Sequence, residues 1–149
     1  MKCGFAKINI DPPIGMPIAG SYNAKYSIGS IDPLYARAIA FSDGDRRAIV
    51  IALDLCYMCT EMHATVRERL VSECGLDDAA IVVTCSHTHA GPLVGYSSWN
   101  SKFDTAPYKK ELVEKIAAIA KEAFSSLYES KLFVAIGEAK GVKIGRAHV

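Results

Sequence analysis

Residues 81–92 read Ile81-Val82-Val83-Thr84-Cys85-Ser86-His87-Thr88-His89-Ala90-Gly91-Pro92. A run of β-branched residues leads straight into a His-x-His pair, and a Gly-Pro turn stops it. Such a run suits a buried strand, and alternate side chains on a strand share a face. The pattern therefore predicts His87 and His89 side by side at the carboxyl end of a strand, where α/β sheets bind ligands. Two imidazoles placed so are half of a metal site, because a catalytic zinc takes three protein ligands and keeps one position open. The competing reading is structural: strand-end histidines hydrogen-bonded to backbone. The two other histidines are His63, within a helical pattern, and His148, next to the last residue.

Working back from this strand, Thr60 reads as the N-cap of a helix running to Cys74, with Gly75 as its C′ residue. Met62, Val66 and Leu70 fall on one face of it. Before the helix, Ala48-Ile49-Val50-Ile51-Ala52-Leu53 is a nearly continuous apolar run suited to a central strand, ended by Asp54. Ser42-Asp43-Gly44-Asp45 is a hairpin signal. The strand before it alternates large Tyr35, Arg37, Ile39 and Phe41 with small residues. A first strand from Gly4 ends at Asp11-Pro12-Pro13. Residues 14–31 are too long and too glycine-rich for a simple turn. They read either as a covering loop packed by Met16, Ile18 and Tyr22 or as a substrate loop.

Working forward, a polar and aromatic loop passes Tyr96, Trp99 and Phe103. Asp104 or Thr105 then caps a second helix with Pro107 in its first turn. Its buried stripe is Leu112, Ile116, Ile119, Ala120, Ala123, Phe124 and Leu127, and the Glu111–Lys115 pair supports its outer face. Residues 132–136 read as a last strand. Strand–helix–strand stretches favour parallel neighbours and hairpins antiparallel ones. The class is α/β, a mixed β-sheet with two amphipathic helices.

A chain of 149 residues is one domain by length. Its 17 basic and 16 acidic residues leave a formal charge of +1, which argues against a nucleic-acid or anionic-membrane surface built on bulk charge. No apolar run is long enough to span a bilayer. No signal-peptide core is visible at the start, and five cysteines cannot all pair within the chain. Cys56, Cys74 and Cys85 lie in apolar or helical contexts, so a reducing, cytoplasmic setting is expected.

Asp54 ends its strand as His87 ends its own. A carboxylate there could orient a histidine or bind a cation. Hydrogen bonding to the amides of the following helix is the structural role, and the one we expect. Cys56-Tyr57-Met58-Cys59 lacks the second pair of a zinc knuckle and the surroundings of a redox motif. It reads as packing.

Four phrases, in order, resemble the neutral/alkaline (non-lysosomal) ceramidase family. Ala6-Lys7-Ile8-Asn9-Ile10-Asp11-Pro12-Pro13 with Gly15-Met16 is similar to its opening. Asp32-Pro33-Leu34-Tyr35-Ala36-Arg37-Ala38 resembles its second strand, and Leu53-Asp54-Leu55 its third. Cys85-Ser86-His87-Thr88-His89-Ala90-Gly91-Pro92 resembles its Thr-His-Thr-His-Ser-Gly-Pro signature. The resemblance implies a zinc-dependent amide hydrolase of sphingolipid metabolism that cleaves ceramide to sphingosine and a fatty acid. It implies His87 as a ligand of the Zn2+ cofactor and His89 as the catalytic neighbour that orients substrate or transition state. Asp54 and Gly91 would stand in a supporting or substrate-binding position. Zinc-activated water would attack the amide carbonyl while the metal polarises the developing oxyanion.

The family's other ligands, a second histidine, a glutamate and a tyrosine, have no counterpart in these residues. The expectation is therefore the N-terminal part of a larger catalytic domain over residues 1–142, inactive as it stands. Lys143-Ile144-Gly145-Arg146-Ala147-His148-Val149 resembles the translation of a sequencing adapter, so residues 143–149 are expected to be a non-native tail. Two other functions fit the residues: a hydrolase of the same architecture acting on another amide or ester, and a non-catalytic scaffold with structural His87 and His89.

Overall fold

The computed structural model describes residues 1–95, 102–138 and 140–141. Strand β1 (Lys2–Asn9) pairs antiparallel with β2 (Tyr35–Asp43), and β2 antiparallel with β3 (Arg46–Leu53). The β2–β3 hairpin closes through two residues, with Gly44 at φ 65° in the first loop position, where a primed turn needs positive φ. Helix α1 (Thr60–Cys74) then carries the chain to β4 (Ile81–Cys85), which pairs parallel with β3. A 3-10 turn over Asp78–Ala80 precedes β4. Helix α2 (Ala106–Ser125) leads to the short β5 (Tyr128–Glu129), and the sheet order is β4-β3-β2-β1-β5. The expected mixed α/β sheet is present.

Strand register sorts the sheet into two unlike faces. One carries Gly4, Ala6 and Ile8, their partners Ala40, Ala38 and Ala36, and then Ile49, Ile51 and Leu53. Both helices bury their apolar stripes there: Met62, Val66 and Leu70 from α1, and Leu112, Ile116, Ile119, Ala120 and Ala123 from α2. Small side chains on β1 and β2 let α2 lie close. A Cβ on Gly4 would fall 1.8 Å from the Ala123 carbonyl oxygen. The opposite face presents Phe5, Ile39, Phe41, Val50 and Val82, with Phe5 50% and Val82 52% exposed.

Four details depart from the sequence reading. Thr60 is the first helical residue of α1 rather than its cap; Cys59 holds the cap position, and Gly75 closes the helix in the left-handed conformation. Tyr22 does not pack the long loop: it is 99% exposed, whereas Met16 is buried. Residues 132–136 form no strand, and Leu132, Phe133, Val134 and Ile136 are exposed. The last strand is Tyr128–Glu129, which pairs antiparallel with β1 at the far edge instead of parallel beside β4. The cause is the seat of α2 across β1 and β2, which delivers the chain to the β1 side of the sheet. An apolar stretch becomes a strand only where a ladder partner meets it, and among the described residues none meets 132–136. Tyr96 and Trp99 lie outside the described residues, as does the whole of the expected tail, residues 143–149. No helix among the described residues is long and apolar enough to cross a membrane.

Candidate metal centre

The parallel register pairs Leu53 with Cys85, so the two chains leave the sheet together, and the Ser86 amide donates to the Leu53 carbonyl at 2.9 Å. Strand geometry ends there. His87 takes φ 61°, a left-handed conformation uncommon outside glycine and found preferentially at functional sites. The His87 and His89 rings do come together, with centroids 5.1 Å apart and planes at 68°. A left-handed turn joins them, rather than the strand alternation that predicted them.

His87 is oriented by a residue that sequence reasoning set aside. Its Nδ1 lies 2.9 Å from the Cys56 carbonyl oxygen. A carbonyl can only accept, so Nδ1 is the donor, and in the neutral ring the lone pair then lies on Nε2, the arrangement common in metal-ligating histidines. Cys56 Sγ stands 3.8 Å from the same Nδ1. Cys56 Sγ and one nitrogen from each of His87 and His89 all lie within 4.8 Å of one another. Cys56 is 4% exposed, whereas both histidines face solvent, so the cluster is anchored on one side and open on the other. Ala19, Leu93 and Tyr57 pack around Cys56, and burial pushes its thiol up. A mixed nitrogen and sulfur donor set suits zinc.

Residues 14–31 hold this edge of the sheet in place. Pro17 bridges Tyr26, Ile18 bridges Pro92, and the Ala19 amide donates to the Gly91 carbonyl at 2.9 Å. Gly20, at φ 84°, lies against the His89 ring. Gly91 acts through its lack of a side chain: a Cβ would fall 3.0 Å from the Asp54 carbonyl oxygen and 3.1 Å from Thr88 Cγ2. That closeness folds the turn after His89 back onto the end of β3.

Asp54 shares the sheet edge with His87, but its carboxylate turns to β2. Oδ2 accepts from the Tyr35 amide at 2.9 Å and from Arg37 Nη1 at 2.8 Å. Its partners are thus a neighbouring strand and an arginine, not the helix amides that the sequence suggested. Sequence reasoning missed Cys56 and Gly20. The available signal for Cys56 was its place three residues beyond the end of β3, at the edge that His87 also occupies.

These features define a class: a mixed α/β sheet with a histidine–cysteine cluster at the carboxyl end of its parallel strand pair. No family model and no curated protein matches the sequence. Among solved structures, the fold is that of part of neutral ceramidase from Pseudomonas aeruginosa, at TM-score 0.69 and 23% identity over 85% of this chain. A ceramidase complexed with C2 matches equally, at TM-score 0.69 and 23% identity over 85% of this chain. The chain covers 22% and 21% of those two structures, about a fifth of their length.

Proposed function

We propose that this chain is the N-terminal part of a zinc-dependent amide hydrolase resembling neutral ceramidase. The observation that carries the reading is the tethered His87. His87 Nδ1 donates to the Cys56 carbonyl at 2.9 Å, which leaves Nε2 of the neutral ring as the nitrogen for a metal, and the His89 ring stands 5.1 Å away. Zinc bound at His87 would supply a water of lowered pKa and polarise an amide carbonyl. His89, set edge-on to His87 and resting on Gly20, orients the substrate amide or its transition state. The further donors implied by the family resemblance would come from residues outside this sequence. Lipid amides such as ceramide are the proposed substrates. The apolar groups on residues 14–31, with Ile14 76%, Tyr22 99% and Ile28 93% exposed, suit an acyl chain.

A scaffold with a structural His87 is the competing reading. Metal content separates the two. The protein that contains this chain is expected to hold zinc stoichiometrically and to hydrolyse a short N-acyl sphingosine. His87→Ala should lose both. Zinc and hydrolysis unchanged in His87→Ala would overturn the proposal.

A further inference from the structure

We propose that Asp54 and Arg37 are positioning residues for His87: together they end the β2–β3 ladder so that the Cys56 carbonyl meets His87 Nδ1. The inference takes its functional weight from the metal reading of His87, but its test needs no metal.

The device is a side chain standing in for the main chain. Beyond the last strand pair, Ala36 and Leu53, the Asp54 amide donates to the Tyr35 carbonyl at 2.9 Å. Such an antiparallel rung is normally completed by the reciprocal bond, here from the Tyr35 amide to the main-chain oxygen of Asp54. Instead the Tyr35 amide donates to Asp54 Oδ2 at 2.9 Å. The main-chain carbonyl of Asp54 is thereby released from β2 and lies toward Gly91, 3.0 Å from where a Cβ there would stand. The backbone leaves the ladder at this residue and crosses to the end of β4. Two residues later the Cys56 carbonyl accepts from His87 Nδ1 at 2.9 Å.

Arg37 holds the substitute in place. Its Nη1 donates to the same Oδ2 at 2.8 Å, and its guanidinium carbon lies 5.0 Å from the Tyr35 ring centroid. With side chains 47% and 24% exposed, the Arg37–Asp54 pair adds little stability as an ion pair. Its consequence is geometric, because it fixes the carboxylate rotamer that occupies the rung. Asp54→Ala removes the substitute, so the main-chain carbonyl of residue 54 returns to the Tyr35 amide. The Cys56 carbonyl is then drawn away from His87.

The nitrogen NMR resonances of an imidazole read which nitrogen carries the proton. In the metal-free 149-residue chain, at about pH 8.5 where free imidazole is neutral, His87 should carry it on Nδ1. Asp54→Ala should move it to Nε2, the tautomer that free imidazole side chains prefer, and leave His63 unchanged. Asp54→Asn, whose amide oxygen still accepts from the Tyr35 amide, should restore the Nδ1 proton. Arg37→Ala should raise the Nε2 share and Arg37→Lys should lower it again; this pair carries the test should Asp54→Ala not fold. Glu73→Gln, which weakens the α1–α2 contact instead, is the control for lost stability and should leave His87 unchanged. In the protein that contains this chain, Asp54→Ala should also weaken Zn2+ binding by about 10–100-fold, as loss of a partner behind a ligating histidine does. An Nδ1 proton retained in folded Asp54→Ala or Arg37→Ala would overturn the proposal. So would a native His87 protonated on Nε2, or the same change in Glu73→Gln. The expected tautomer change in a protein that holds no zinc would overturn the metal reading alone and leave the positioning intact.

Discussion

A Cβ placed on Gly20 would lie 2.4 Å from Cγ of His89 and 2.7 Å from its Cβ and Cδ2. The long loop and the second histidine are therefore in direct contact, and the loop sets where that imidazole stands. Gly20 also sits at φ 84°, where a side chain is strained.

Gly20→Ala should act on the site and on stability together. Strain at positive φ predicts a loss of about 1 kcal/mol or more, read as a shift in the urea midpoint. The His89 ring must also move, so its imidazole NMR resonances should shift while those of His63 on α1 stay in place. Unmoved His89 resonances would refute the contact.

Gly4 tests the seat of α2. Overpacking of a close helix–sheet contact costs about 1–3 kcal/mol. With the Ala123 carbonyl only 1.8 Å from a built Cβ, Gly4→Ala belongs at the upper end. Gly137→Ala, with nothing within 4 Å of its built Cβ, serves as the control and should be neutral. Equal unfolding midpoints for the two variants would show that α2 does not rest on β1 as described.

Acid should unclasp the two helices. Glu73 on α1 pairs with Arg69 at 2.6 Å and with Lys121 of α2, and Arg69 pairs in turn with Glu114 at 2.6 Å. Hydrogen bonds from Arg69 and then Lys121 hold the Glu73 carboxyl at about 2, below its ordinary 4.5. Because the folded-state pKa is depressed, the stabilisation is present above 4.5 and is lost as pH falls toward 2. The difference in Tm between the native chain and Glu73→Gln should therefore shrink across that window. A constant difference from neutral pH to pH 2 would contradict the clasp.

Much of the fold was legible because its signals are local. Hydrophobic period separated α2 from the strands, and the buried stripe of Leu112, Ile116, Ile119, Ala120 and Ala123 appears as read. The Glu111–Lys115 pair, set by helical spacing alone, closes at 2.7 Å. The hairpin at Gly44 and the left-handed Gly75 follow from what glycine permits. Errors entered where a local signal depended on a distant partner. Residues 132–136 have strand composition, but a strand needs a ladder, and α2 carries the chain to the opposite edge from the one expected.

The candidate site divides along the same line. The sequence by itself determined that a β-branched strand runs toward His87 and His89 and that a Gly-Pro pair follows them, since propensity and turn chemistry act over a few residues. Only the tertiary structure decided what meets those rings. The β3–β4 register brings Cys56 to His87 across 31 positions, and the docking of residues 14–31 sets Gly20 against His89. It also turned Asp54 toward Tyr35 and Arg37. Such meetings depend on which strands pair and how closely backbones approach, and neither quantity is written in a local pattern of residues.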